Sequence, residues 1–186
     1  MEKCNAKAEV LASKYLFREP WLTVREEEIK LPNGAIVPKY YVLEYPDWVN
    51  TLAITKDKKF VMIRQYRHGT QTTNYELCGG CVDAEDASPL VAAQRELLEE
   101  TGYGNGKWRL NMKMSTNPST NTNWTFNFIA EDVELINEEQ HLDGGECLTI
   151  HLLSLEEIKQ LLQDGGIIQS MHACALWKYL AENHLI

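Results

Sequence analysis

The residues of this sequence best equipped for chemistry lie in one run, Arg95-Glu96-Leu97-Leu98-Glu99-Glu100-Thr101-Gly102-Tyr103. Glu96, Glu99 and Glu100 stand at i, i+3 and i+4, so a helix through them carries all three carboxylates on one face, one turn apart. Like charges so placed work against a bare helix, each pair by about 0.2–0.5 kcal/mol, and a divalent cation removes that repulsion directly. Carboxylate oxygens are hard ligands suited to Mg²⁺ or Mn²⁺, ions that keep several waters and complete their shells with substrate phosphates. The glutamates alone do not decide the matter, because a solvated acidic helix face is the commoner meaning of such a triplet. Upstream, Glu76-Leu77-Cys78-Gly79-Gly80 reads as a strand end running into paired glycines, where backbone can approach an ion or a phosphate closely.

Positioning these groups requires a helix and the strands around it. Leu90, Ala93, Leu97 and Leu98 recur at helical spacing, predicting a helix over Ser88–Thr101 with Ser88 as N-cap, Pro89 in the first turn and Gly102 as the stop. Strands are expected at 21–30, 37–45, 49–55, 60–66, 108–114, 124–130 and 147–153, the first two joined by the Leu31-Pro32-Asn33-Gly34 hairpin signal. The first twenty or so residues read as an arm or a short helix. Two helices, 155–163 and about 170–182, follow across the Asp164-Gly165-Gly166 break. Many strands with one central and two terminal helices make an α/β or α+β fold. With no repeat or low-complexity linker, the 186 residues are expected to form a single domain.

Composition narrows the partners. A net charge of -9 repels a polyanion over most of the surface, so a nucleic acid polymer is not expected; a small anion held by metal ions and a few arginines is. No apolar stretch approaches the roughly 20 residues of a membrane span, and no signal-peptide pattern opens the chain. The five cysteines are odd in number and irregularly spaced, which suits a reducing cytoplasm. Cys78-Gly79-Gly80-Cys81 has the C-x-x-C form of a redox pair or half a zinc site. No second pair stands at zinc spacing, and Val82 to Ser88 separate it from the helix a thioredoxin-like pair would open directly, so a loop packed by small residues is expected. The histidines form no catalytic triad, and His172, on an amphipathic C-terminal helix, is expected in a core or an interface.

A strand, a glycine-rich loop and a helix loaded with carboxylates together resemble the signature of the Nudix hydrolase family. That family's box ends Arg-Glu, an apolar residue, any residue, Glu-Glu, any residue, glycine and an apolar residue, and residues 95–103 match every specified position, with Tyr103 taken as apolar. The upstream half of the box matches less well. Counting back from Arg95 puts Ala87 at its glutamate and Cys81 at its glycine; counting forward from Gly80 puts Asp86 at the glutamate, with one extra residue before Arg95. The segments Phe60–Arg67 and Tyr75–Leu77, Pro118 placed sixteen residues after Gly102, and Asp143–Ile150 are similar to the ADP-ribose pyrophosphatase branch.

The resemblance implies an α/β/α sandwich with a mixed central sheet, an N-terminal antiparallel hairpin and C-terminal helices. Residues 1–45 would form an arm that serves a homodimer and 46–186 the core. The implied reaction is metal-dependent attack of water on a diphosphate. Glu96 and Glu100 would be the main metal ligands, Glu99 would bind or orient a further ion or its water, the Gly79 carbonyl would complete the shell with Gly80 beside the substrate, and Arg95 would orient the carboxylates. A general base is expected in the acidic loop 138–146, with Glu146 first. Arg67 is either a phosphate ligand or a strand-end arginine paired with a surface carboxylate. Trp21, Tyr41, Trp48 and Trp124 could stack on a base, though each is more often core or interface. ADP-ribose is the first expected substrate, another nucleotide sugar such as GDP-mannose the second. Against these stand a non-catalytic Nudix domain that senses such a metabolite, and an acidic-helix interaction module whose stability would not respond to divalent ions.

Overall fold

The computed structural model describes residues 6–142, 144–145 and 147–186. Its chain forms two compact units, Met1–Pro46 with Ser115–Asn123, and Asp47–Met114 with Trp124–Ile186.

In the first unit, β1 (Glu9–Glu19), β2 (Leu22–Lys30) and β3 (Ile36–Glu44) make an antiparallel sheet in that order. The expected hairpin is β2–β3, turned through Leu31–Gly34, where Gly34 at φ 88 donates its N–H to Leu31 O at 2.8 Å. The expectation of an arm or short helix before it is corrected: Glu9 to Glu19 pair with β2 from Lys30 to Leu22. A neighbouring strand supplies the backbone partners that an eleven-residue helix would otherwise have to make alone, and isolated helices of that length are marginal. Ile29 is the buried apolar side chain among the described residues of this unit, whereas Val10, Tyr15, Phe17 and Trp21 stand exposed, Trp21 by 78%.

The second unit is a mixed sheet between helices. Its strands β4 (Trp48–Thr55), β5 (Phe60–Arg67), β6 (Thr72–Glu76), β7 (Tyr103–Gly104), β8 (Lys107–Met114), β9 (Thr125–Leu135) and β10 (Leu148–Leu153) run in the order β10-β5-β4-β9-β7, with β6 also on β5 and β8 also on β9. The β4–β9 pair is parallel and the other named pairs antiparallel. Side chains alternate across β4 as a strand requires. Leu52 and Ile54 enter one core with Ile158 and Leu162 of α2 (Leu155–Gln163) and Leu176 and Leu180 of α3 (Ser170–Glu182). Val49 and Ala53 face the other way, against Ala92, Ala93 and Leu97 of α1 (Pro89–Thr101). The result is the α/β/α layering the sequence suggested. Strand β9 runs past the expected end at Ala130 to Leu135, carrying Asp132 at φ 61 through a bulge where Lys58 and Lys107 pair with its carboxylate. Among the described residues no helix is long and apolar enough to cross a membrane.

Candidate active site

Helix α1 starts and stops where its sequence dictates. The Ser88 side chain accepts the Val91 N–H at 3.3 Å, Pro89 occupies the first turn, and Gly102, at φ 71, donates to Leu98 O at 2.8 Å. Glycine is required at that stop, because a Cβ there would lie 1.9 Å from Asn137 O. Leu97 is fully buried and seats the helix on the sheet; truncating such a leucine to alanine costs about 2–5 kcal/mol. Beside that seat the helix carries Arg95, Glu96 and Glu99, which are not buried, and Glu100, which is.

The glycine loop is laid along β4. Thr51 N–H donates to Cys78 O at 2.8 Å, Val49 N–H to Gly80 O at 2.9 Å and Val82 N–H to Asp47 O at 2.8 Å. So anchored, the loop meets the two outer glutamates one glycine apiece. Gly79 N–H donates to Glu100 Oε2 at 2.9 Å, and Gly80 lies so close to Glu96 that a Cβ would sit 2.5 Å from its Oε1. Glu100 is buried, 3% exposed. The sequence placed Gly79, Gly80, Glu96 and Glu100 in one site, and the structure brings all four together.

Arg95 is the hub that holds the acidic face in order. Its Nη1 donates to Glu96 Oε1 at 2.9 Å and to Glu99 Oε2 at 3.0 Å, while Nη2 reaches Asp86 Oδ2 at 2.9 Å and Cys81 O at 3.1 Å. The hydrogen bond to Asp86, with Glu96 and Glu99 beside it, pushes the guanidinium further above its already high range. Asp86, not Ala87, is therefore the loop carboxylate that meets the helix, and the extra residue before Arg95 is absorbed in the turn where Asp83 N–H donates to Asp86 Oδ2. The hydrogen bond from Arg95 holds the Asp86 carboxyl below the usual aspartate range, so its share of the stability is complete at neutral pH and is lost as the pH falls below that range. Asp86→Asn is expected to lower metal affinity or turnover by roughly 10–100-fold, as losses of groups that orient ligands do, without unfolding the protein. Steady-state kinetics against Mg²⁺ concentration check this, and unchanged constants would remove Asp86 from the site.

Arg67 pairs with a carboxylate, and that carboxylate is buried rather than on the surface. Nε lies 3.0 Å from Glu76 Oε1 and Nη2 2.6 Å from Oε2, with Glu76 1% exposed and the arginine side chain 45% exposed. Next to it, Leu77 N–H donates to His172 Nδ1 at 3.2 Å. Burial, and then the Arg67 charge, push the His172 imidazole down to about 3. A histidine neutral in the fold and ordinary when unfolded costs the fold stability as the pH falls below 6.5 toward 3. Chemical denaturation of the wild type and His172→Asn across that range should show the wild type alone carrying this loss; parallel curves would contradict it.

Other residues qualify the sequence picture. Glu99, with a side chain 40% exposed, turns to Arg95. Burial and the neighbouring Glu96 push the Cys81 thiol up, away from the thiolate that redox or zinc chemistry needs. Trp124 carries Lys113 Nζ 4.5 Å from its ring centroid. Glu146, the expected base, lies outside the described residues. The segment before it closes the end of the glutamate helix, Gln140 Nε2 donating to Glu100 O at 2.6 Å and His141 N–H to Glu99 O at 2.9 Å. Asp86, Gln140 and His172 were not among the expected site residues; only Asp86 had a local signal, its spacing from Gly80.

Among the described residues no three His, Cys, Asp or Glu side chains form a ready-made metal cage. The donor set fits a hard cation of the kind completed by water and substrate: two carboxylates one turn apart, each fixed against a glycine of one backbone loop.

The chain matches the NUDIX domain over residues 45–172 and the nucleoside diphosphate sugar hydrolase N-terminal domain over residues 9–43. It is 27% identical to an ADP-ribose pyrophosphatase of Bacillus subtilis over 172 residues, 92% of each chain. An ADP-ribose pyrophosphatase of Mycobacterium tuberculosis is 25% identical over 88% of this chain and 78% of its own. A GDP-mannose pyrophosphatase of Escherichia coli is 29% identical over 71% of each. In three dimensions the chain is similar to the crystal structure of an ADP compounds hydrolase, with TM-score 0.82 and 24% identity over 97% of this chain and 98% of that one.

Proposed function

This chain belongs to the NUDIX family of hydrolases, and from that premise we propose that it hydrolyses the diphosphate bond of ADP-ribose to AMP and ribose 5-phosphate. The observation that carries the reading is the seating of Glu96 and Glu100 on Gly80 and Gly79, which holds two carboxylates at one backbone loop. Mg²⁺ or Mn²⁺ is the proposed ion, with Glu96, Glu100 and the Gly79 carbonyl as its protein ligands and Gly80 beside the substrate phosphates. When bound, such an ion polarises phosphoryl oxygens and lowers the pKa of water.

The chain's own groups do the remaining work. Arg95 keeps Glu96 and Glu99 from swinging apart, with Asp86 fixing the guanidinium from behind. Glu99, the least confined of the three, is assigned to orient a further ion or its water. Arg67, steadied by Glu76, offers a half-exposed guanidinium to a phosphoryl group. Proton removal from the attacking water is assigned to Glu146 on its place in the acidic loop. The exposed apolar side chains of β1, Val10, Tyr15 and Phe17 among them, support a homodimer built through residues 1–45. A cytoplasmic home suits the exposed thiols of Cys147 and Cys174, which stand in no disulfide.

GDP-mannose is the second reading, favoured by the Escherichia coli relative. Incubation with a panel of nucleotide sugars and Mg²⁺, with products resolved by chromatography, separates the two. AMP with ribose 5-phosphate supports the first, GMP with mannose 1-phosphate the second, and no cleavage of any member contradicts both.

A further inference from the structure

The glycine loop depends on a residue far away in sequence. The antiparallel pairing of β6 with β5 ends at Glu76, opposite Ile63, and pairing with β4 begins at Cys78, opposite Thr51. Leu77 is the residue at which the chain changes partners, and it is 1% exposed, so its N–H is cut off from both ladders and from water. That N–H donates to Nδ1 of His172, on α3, at 3.2 Å, and His172 is itself 3% exposed. We propose that His172 is a positioning residue of the hydrolase site: it holds the crossing point from which Gly79 reaches Glu100 and Gly80 reaches Glu96.

The proposal rests on the metal-dependent reading above but makes its own demands. An acceptor at Nδ1 requires the neutral imidazole, which burial beside Arg67 favours, and the Leu77 N–H at Nδ1 then puts its proton on Nε2. Two residues on from Leu77, the Gly79 N–H must point at Glu100 Oε2, 2.9 Å away. A peptide plane freed at Leu77 works against one neighbouring tie, Thr51 N–H to Cys78 O at 2.8 Å, before the change reaches the Gly79 N–H. Loss of the His172 acceptor is therefore felt at the crossing point and the Glu100 contact and only weakly in the rest of the sheet.

The test is made on the full chain without substrate, so that it stands apart from the identity of the substrate. Backbone amide exchange by NMR is compared between the wild type, His172→Leu and His172→Asn, with Mn²⁺ affinity measured by EPR. In His172→Leu, exchange at Leu77 and Gly79 is expected to accelerate roughly tenfold or more while Ile129 in β9 keeps its protection, and Mn²⁺ affinity is expected to fall by roughly 10–100-fold. His172→Asn, whose side chain can place an acceptor near the same point, restores both. With a cleaved substrate in hand, kcat falls in the leucine variant more than KM changes. Unchanged exchange and Mn²⁺ affinity in a folded His172→Leu overturn the proposal. Imidazole ¹⁵N shifts of the wild type provide a second measurement that needs no variant: a proton on Nε2 with Nδ1 bare supports the assignment, and a proton on Nδ1 overturns it. Failure of the wild type to cleave any nucleotide sugar would instead count against the reading of function, leaving the exchange result to stand or fall alone.

Discussion

Replacing Glu100 with glutamine is expected to leave a folded protein with turnover reduced by about 10²- to 10³-fold, the scale on which losing one preorganised electrostatic partner registers. The side chain is 3% exposed and accepts the Gly79 N–H at 2.9 Å, and glutamine has the same shape and keeps a carbonyl for that bond. What it lacks is the charge. Without a divalent ion that loss removes a repulsion between Glu96 and Glu100, so the metal-free variant should melt no lower than the wild type. With Mg²⁺ present the order reverses, since an ion that binds the native state stabilises it by mass action and the variant binds it poorly. Thermal melts with and without Mg²⁺, together with kcat, check both halves; near-normal turnover would remove Glu100 from the assigned ligands.

Gly80→Ala should reach a comparable loss of activity by a different route. A Cβ at this position falls 2.5 Å from Glu96 Oε1, 2.7 Å from its Cδ and 2.8 Å from Oε2. The obstructed atoms are the far end of a flexible side chain, so the fold yields by swinging Glu96 aside and not by moving backbone. A displacement of about 1 Å in a catalytic group costs on the order of 10²-fold, and the melting temperature should change little. The contrasting outcome, full activity in the alanine variant, would mean that Glu96 does its work elsewhere. The Glu96 contact with Arg95 gives the same experiment a structural readout, because a swung carboxylate leaves the Nη1 position it holds at 2.9 Å.

Much of this arrangement was legible in the sequence, and the limits have physical causes. Helix α1 could be read to its ends because its signals are local: Ser88 and Pro89 at the start, apolar residues at helical spacing, a glycine at the stop. The strand β1 could not, because its 9–19 segment takes its pairing from β2 and its own apolar residues show no settled periodicity. The run of β9 past Ala130 was not legible, because the bulge at Asp132 is held by Lys58 and Lys107, which stand far from it along the chain. In the site, the glutamates and glycines were found because they sit close along the chain. The choice between Asp86 and Ala87 needed the position of the Arg95 guanidinium, which residue counting cannot supply. His172 lies 95 residues from the amide it holds, and no local pattern joins them.

Glu96 and Glu100 are proposed to grip a divalent ion against the glycine loop. A crystal structure with Mg²⁺ and a non-hydrolysable ADP-ribose analogue tests it most directly. The expected result is an ion bonded to oxygens of both carboxylates at about 2.0–2.1 Å and to the diphosphate, with the Gly79 carbonyl in its shell. A diphosphate bound elsewhere, with both carboxylates bare of any ion, would contradict it.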